Sequence, residues 1–267
     1  MIARTRVLVR GGGEMASAAA RLLFRCGFPT LVLEMPAPLA VRRLASFAEA
    51  VRKGSVVVEG VEGRRVEPEA VPAALDAGRF VPVVVDPDAA CRVSLAPQVL
   101  VDARMAKHKQ DTDRAQATLV IGLGPGFVAG EDVHAVVETQ RGPGLGRVLW
   151  SGPAEADSSV PAPVMGFTGE RVLRAPRSGE FRGAHGIGDL VSARAVVGEV
   201  GGAPVTAAIG GLVRGLVADG AFVEQGVKVG DIDPRGRAVS AAEVSDKGRA
   251  VAAGVLEAIL VAFKGRL

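Results

Sequence analysis

The alternation of apolar and polar positions is clearest near the amino terminus. Val7-Leu8-Val9 is a short apolar run that stops at Gly11-Gly12-Gly13. An Ala-rich segment with Leu22, Leu23 and Phe24 follows, and a second apolar run, residues 31–33, ends at Glu34. The order is strand, glycine turn, helix, strand. After Met35-Pro36-Ala37-Pro38 the spacing predicts a helix over 39–51, then a hairpin from 55–59 and 64–66 around Gly60 to Gly63, and a helix near 69–75. Two apolar runs, 80–86 and 99–102, read as buried strands, and each ends in an aspartate, Asp86 and Asp102. Residues 118–121 form another strand that runs into Gly122-Leu123-Gly124-Pro125-Gly126, and 132–139 reads as a strand. Residues 142–169 are rich in Gly, Pro, Ala and Ser around one strand at 147–150 and predict a linker. A final helix is expected over 241–263, burying Val251, Val255, Leu256, Ile259 and Leu260 on one face.

Beyond the linker the chain matches itself at a shift of 32 residues. Gly179-Glu180-Phe181-Arg182-Gly183 aligns with Gly211-Leu212-Val213-Arg214-Gly215, Gly188 with Gly220, Leu190-Val191 with Phe222-Val223, and Gly198-Glu199-Val200 with Gly230-Asp231-Ile232. The pattern resembles the two hammerhead halves of biotinyl/lipoyl-type domains, which interlock into a barrel-sandwich hybrid. Those carriers hold a modified lysine at the hairpin between the halves. Here that stretch reads Glu199-Val200-Gly201-Gly202-Ala203-Pro204-Val205-Thr206-Ala207, without lysine, so covalent biotin or lipoate is not expected.

The expected fold class is therefore α/β: a Rossmann-like parallel-sheet domain over 1–141, the linker 142–169, a small all-β barrel-sandwich-hybrid domain over 170–237, and a C-terminal helix within 238–267.

Candidate chemistry gathers at the strand ends. Gly11, Gly13 and Ala16 fit the dinucleotide fingerprint, with Gly12 between them. Gly11 permits the tight turn, Gly13 permits close approach of a phosphate, and Ala16 permits close packing of helix on sheet. Free N–H groups at the start of such a helix favour an anion. Glu34 stands where such folds place a carboxylate on a ribose hydroxyl. The same pattern also serves as a tight turn that binds nothing, and Glu14 would repel a phosphate if it pointed inward. Arg42-Arg43 could meet a 2′-phosphate, but the preferred reading is a solvated helix face. Gly122, Gly124 and Gly126 could expose successive N–H groups as an anion nest, imperfect because Pro125 lacks a donor. On a strand, Asp132, His134 and Glu138 would share one face, and His134 could carry a proton to a phosphate or, with the carboxylates, hold a metal. The alternative is an open edge-strand face. No catalytic residue is assigned.

Composition narrows the partners. Lys and Arg number 32 against 29 Asp and Glu, a net charge of +3, and the basic residues are spread along the chain. With no Tyr and one Trp there is little to stack on bases, so nucleic acid is not expected as a partner. Cys26 and Cys91 are isolated, which gives neither a metal motif nor a disulfide framework and suits a reducing compartment. The first strand begins at Val7, too early for a signal peptide, and no apolar run approaches the roughly 20 residues of a membrane span. A cytoplasmic protein without a membrane partner is expected.

Seven segments carry a resemblance that runs through nearly the whole chain. They begin at Val9 (VRGGGEMA), Glu34 (EMPAPLAVRRLASFAEAV), Val101 (VDARMAK), Leu119 (LVIGLGPGFVAGEDVHAVVET), Leu145 (LGRVLW), Gly230 (GDIDPR) and Ser245 (SDKGRAVAAGVLEAIL). In this order they resemble the YqeB-type family of selenium-dependent molybdenum hydroxylase maturation proteins. The first segment is also similar to the Rossmann part of XdhC-type chaperones. The resemblance implies an accessory factor whose partners are a molybdenum hydroxylase apoenzyme and other maturation proteins. It implies a molybdopterin-type cofactor or a nucleotide at the glycine turns; the alternatives are an NAD(P)-dependent oxidoreductase and a non-catalytic scaffold. Neither cysteine has a neighbour that would activate its thiolate, so handling of selenium through sulfur is not expected.

Overall fold

The computed structural model describes residues 2–106, 108 and 110–264. The chain divides into two compact units. One comprises the segment up to Pro38, Ala45–Asp157 and the chain from Val244 onward; the other comprises Leu39–Leu44 and Ser158–Glu243.

In the first unit the strands are β1 (Val7–Arg10), β2 (Thr30–Glu34), β3 (Ser55–Val58), β4 (Val61–Arg65), β5 (Val81–Val85), β6 (Val99–Asp102), β7 (Leu119–Leu123), β8 (Val128–Ala129), β9 (Ala135–Val137), β10 (Val148–Leu149) and β11 (Gly152–Pro153). The helices are α1 (Glu14–Arg25), α2 (Glu49–Lys53), α3 (Val71–Ala77), α4 (Arg92–Leu95) and α5 (Asp246–Ala262). Among the described residues, nine strands form one sheet in the order β10-β9-β7-β6-β1-β2-β5-β4-β3. Only the edge strands β3 and β10 run antiparallel to their neighbours. Alternation along the strands separates two cores. Val7, Val9, Val99, Val101 and Ile121 pack with α1, α2 and α5, whereas Leu8, Leu100 and Val120 pack with α3 and α4. A sheet covered on both faces explains the near-continuous apolar runs.

α1 is held to the sheet by Ala16, Ala19, Ala20 and Leu23, all fully buried at helical spacing. Small residues also bring α1 and α5 together: a Cβ on Gly248 would lie 3.3 Å from the Ala18 Cβ. Ser245 caps α5 by accepting the Gly248 N–H, so the helix begins at Asp246, not at 241. The C-terminal segment 238–267 is thus divided between the units and ends outside the described residues.

Three expectations change. No helix spans 39–51: Leu39–Leu44 packs with the second unit, and the chain returns as a short 3-10 turn, Arg43–Ala45, before α2. Residues 142–157 are no linker, because β10 adds to β9 at the sheet edge and β11 pairs with β8. Gly146 instead packs on α5, where a Cβ would lie 2.5 Å from the Ala250 carbonyl oxygen. The strand expected over 132–139 is only the three residues of β9.

The second unit contains β12 (Val172–Arg174), β13 (Gly179–Gly183), β14 (Leu190–Val191), β15 (Val196–Val200), β16 (Ala203–Thr206), β17 (Gly211–Leu216), β18 (Phe222–Val223) and β19 (Lys228–Asp233). The internal repeat is visible in its hydrogen bonds. The Gly188 N–H donates to the Val213 carbonyl, and the Gly220 N–H donates to Phe181; Ala175 donates to Val227, and Ala207 to Ala195. Each of the two four-stranded sheets borrows one short strand from the other repeat, β14 joining β17 and β18 joining β13. The interlocked halves enclose one core around Phe181, Val200, Val213 and Ile232.

Candidate functional site

The strand order reverses its direction of growth at β1. β2 lies on one side of β1, and β6, which follows β5 in the chain, lies on the other. Open parallel sheets bind ligands outside the carboxyl ends of their strands at such a reversal. Gly11–Gly13 leave the end of β1 at this place, and Ala103-Arg104 leave the end of β6 beside them.

The glycines of the first turn have separate tasks. Gly11 has φ +94°, and a Cβ on it would lie 3.2 Å from the Ala103 carbonyl oxygen and 3.3 Å from Arg104 Cα. A Cβ on Gly12 would meet the Ala48 nitrogen at 2.8 Å. Gly13 precedes α1 with extended backbone, and a Cβ there would meet no described residue within 4 Å. Among the described residues, no side chain caps α1. Ala16 is fully buried against the sheet. Glu14 points toward α5, where its Oε1 accepts the Ser245 N–H at 2.9 Å.

Glu34 turns back on the loop. Its Oε2 accepts the Gly12 N–H at 2.6 Å and its Oε1 accepts the Met35 N–H at 2.8 Å. Burial raises its pKa against the lowering effect of these two bonds. A ribose hydroxyl at Glu34 would therefore share oxygens already bonded to backbone.

The second glycine turn is filled by the protein itself. A Cβ on Gly122 would stand 2.4 Å from the Phe127 ring, one on Gly124 (φ +73°) 2.4 Å from Thr139 Oγ1, and one on Gly126 (φ +105°) 2.7 Å from the His108 carbonyl oxygen.

Asp132, His134 and Glu138 do not converge. Asp132 folds back to accept the Val128 N–H. His134 lies beside Val120, toward the amino end of β7, and its Nδ1 accepts the Val120 N–H at 3.0 Å. Burial and, next, the charge of Arg114 lower its pKa, which disfavours the proton-carrying role toward a phosphate. Glu138 lies four residues further, about 13 Å along an extended chain. It is buried and accepts the N–H groups of Thr139, Gln140 and Glu155. Among the described residues, no group of three or more His, Cys, Asp or Glu could hold a metal ion.

Arg42 and Arg43 also stand elsewhere than expected. Arg42 is buried and donates to the carbonyls of Ala241 and Glu243; Arg43 donates to that of Leu216. Both belong to the second unit's packing, not to a solvated helix face.

Sequence reading missed a buried charge cluster at the ends of β1 and β6. Arg10 and Asp102 sit opposite each other in register. Arg10 donates to Thr112 Oγ1, the Pro87 carbonyl and Asp111. Arg104 donates through Nε to Asp102 Oδ1 and through Nη2 to Asp102 Oδ2, and also reaches Asp111 and Thr112. The available signal was a charged residue closing each of two adjacent apolar runs. Asp86, at the end of β5, accepts the Ala90 and Cys91 N–H groups. Burial and the hydrogen bond to Asp86 push the Cys91 thiol up to about 12, so it is no nucleophile. A hollow of 280 Å³ between Phe24, Phe28, Leu75 and Phe80 lies at the amino-terminal edge of the sheet, at the opposite end of β2 from Glu34.

No family model matches the sequence. The chain is similar to the uncharacterized protein YqeB of Escherichia coli (strain K12), with 43% identity over 255 residues and 96% of this chain. It spans about half, 47%, of that relative's length. Among solved structures, TcdA (CsdL) is similar over 49% of this chain and 52% of its own, at 17% identity and a TM-score of 0.26. An aspartoacylase family protein from Mesorhizobium loti is similar over 85% of this chain and 84% of its own, at 13% identity and a TM-score of 0.26. Likeness of that degree leaves the fold to be read from the strand order. Among the described residues, no helix is long and apolar enough to cross a membrane.

Proposed function

We propose that this chain is an accessory factor in the maturation of selenium-dependent molybdenum hydroxylases, and that its Rossmann-like first unit holds a phosphorylated cofactor or nucleotide over the Gly11–Gly13 turn. One observation carries the binding part. The turn at the reversal point of the sheet has Gly13 facing open space, at the uncapped amino end of a twelve-residue helix. Oriented N–H groups and the helix dipole favour a phosphate there. The maturation role rests on the sequence segments that resemble the YqeB-type family; the 43% identity to the uncharacterized YqeB supports the resemblance and not the role. The second unit, read as a barrel-sandwich hybrid, has Gly201-Gly202 at the turn where carriers hold their lysine. Its role is then docking, with the hydroxylase apoenzyme or another maturation protein in the cytoplasm as partner.

Calorimetry with molybdopterin, CTP, NAD and NADP tests the ligand class. The control variant is Gly13→Asp. Aspartate is a favoured helix cap, so the fold is kept, while its carboxylate occupies the phosphate position. Binding by the wild type that disappears in Gly13→Asp supports the reading. Equal binding by both proteins removes the turn as the phosphate site, and failure of all four ligands to bind the wild type favours a scaffold.

A further inference from the structure

The charge cluster at the ends of β1 and β6 has a graded exposure. The side chains of Arg10 and Asp102 are 3% and 1% exposed, that of Arg104 is 25% exposed, and that of Asp111 is 57% exposed. Asp111 bridges the two guanidiniums with one oxygen each: Oδ2 accepts from Arg10 at 2.9 Å and Oδ1 from Arg104 at 2.7 Å. Both arginines have other anchors. Thr112 Oγ1 and the Pro87 carbonyl hold Arg10, and the two Asp102 oxygens hold Arg104. Thr112 Oγ1 in turn donates to Asp102 Oδ2 at 2.6 Å, which fixes the buried half of the cluster. The guanidiniums therefore keep their positions without Asp111.

We infer that Arg10 and Arg104 form a second oxyanion site, specific for phosphate, which the Asp111 carboxylate fills in the free protein and an incoming phosphate takes over. This deepens the proposed function and rests on its reading of the crevice as a ligand site. Two donors fixed in one place by buried partners, and aimed at an accessible carboxylate, match two oxygens of a phosphate as well as those of Asp111. The backbone of Arg104 abuts Gly11, so a ligand with more than one phosphate reaches both the glycine turn and the arginine pair. Asp86 does not substitute for Asp111, since its oxygens accept the Ala90 and Cys91 N–H groups. Burial raises the Asp111 pKa, but the bonds and charges of Arg10 and Arg104 outweigh it and bring it down to about 2. It is thus a charged competitor at neutral pH.

The test is calorimetry of inorganic pyrophosphate, with acetate as the carboxylate control, on the wild type, Asp111→Asn and Arg104→Gln. Removing the competitor should tighten pyrophosphate binding about tenfold, and removing one charged donor should weaken it by a similar factor. Acetate, with a single charge against the several of pyrophosphate, should gain less. Melting curves of Asp111→Asn verify the fold. Unchanged or weaker pyrophosphate binding by Asp111→Asn overturns the inference, as does an equal gain for acetate. Gly13→Asp separates the two readings. Loss of binding there without a gain in Asp111→Asn keeps the glycine turn and rejects the arginine site. A gain in Asp111→Asn with undiminished binding in Gly13→Asp does the reverse.

Discussion

Two glycine turns leave parallel strands of one sheet, and they differ in what fills them. At Gly11–Gly13 the first two glycines meet protein, but the third faces open space. At Gly122–Gly126 all three glycines meet Phe127, Thr139 or the His108 backbone. Both read alike in sequence, as an apolar run followed by glycines. A glycine that admits a neighbouring side chain is a packing residue. A glycine beside open space at a helix start leaves room for the phosphate proposed above. The difference is visible only where a Cβ is placed on each.

The largest expected effect belongs to the filled turn. Gly122→Ala would drive a methyl into the buried Phe127 ring, and Gly124→Ala would add positive-φ strain to a clash with Thr139. Overpacking at Gly122, and overpacking with backbone strain at Gly124, should cost about 2–4 kcal/mol in each. Urea melts give the comparison, and a variant as stable as the wild type would mean that the second turn is looser than the first.

A smaller loss is expected at His134, which serves the strand pair behind the second turn. His134→Leu leaves the Val120 N–H without its side-chain acceptor, a penalty of about 1–3 kcal/mol. The pH dependence separates this role from ligand binding. With a folded pKa below the ordinary 6.5, the unfolded chain takes up the proton first. Stability is therefore fully present above 6.5 and is lost as pH falls toward the folded value. His134→Leu should lack that slope. If it keeps the slope and the stability but loses pyrophosphate, His134 is a ligand residue after all.

The open turn should behave oppositely. Gly13→Asp has ordinary backbone and free space around it, and capping α1 should raise stability by a few tenths of a kcal/mol. A loss above about 1 kcal/mol would show that Gly13 is packed in solution as tightly as Gly122.

What could be read from sequence follows the reach of each rule. The β1-α1-β2 order was legible because its apolar periods are local. The repeat within the second unit was legible because a 32-residue shift preserves hydrogen-bond partners as well as glycines. The Gly/Pro-rich stretch after Gly142 misled because it carries two short strands, β10 and β11, and because Gly146 serves close packing: it meets α5, and Gly254 of that helix approaches the Gly146 carbonyl. The helix expected after Leu39 failed because Val41 belongs to the second unit, where it abuts Gly215. The shared face of Asp132, His134 and Glu138 failed because alternation holds only inside a strand, and β9 is three residues long. Arg10 and Asp111 lie 101 positions apart, and their pairing needed the sheet order before it could be seen.

The smallest effect, and the finest test of the contrast, lies in Glu34. The filled turn has protein against all three of its glycines; at the open turn this carboxylate accepts the Gly12 N–H. Burial raises its pKa above the usual 4.5. The folded protein therefore holds a proton on Glu34 at pH values where the unfolded chain has released it, and the linkage sign is negative: stability falls as pH rises from 4.5 through the folded pKa, then levels off. Glu34→Gln removes that slope and the charge together. A phosphate arriving at the turn would meet the same carboxylate, so in the wild type its binding should favour the protonated form and tighten on acidification through this window. In Glu34→Gln, pyrophosphate affinity should change less with pH over the same range. Calorimetry in two buffers of different ionisation enthalpy would read the proton taken up with the ligand. Equal proton uptake in wild type and variant would show that the phosphate binds away from Glu34, and the first turn would then be no more a ligand site than the second.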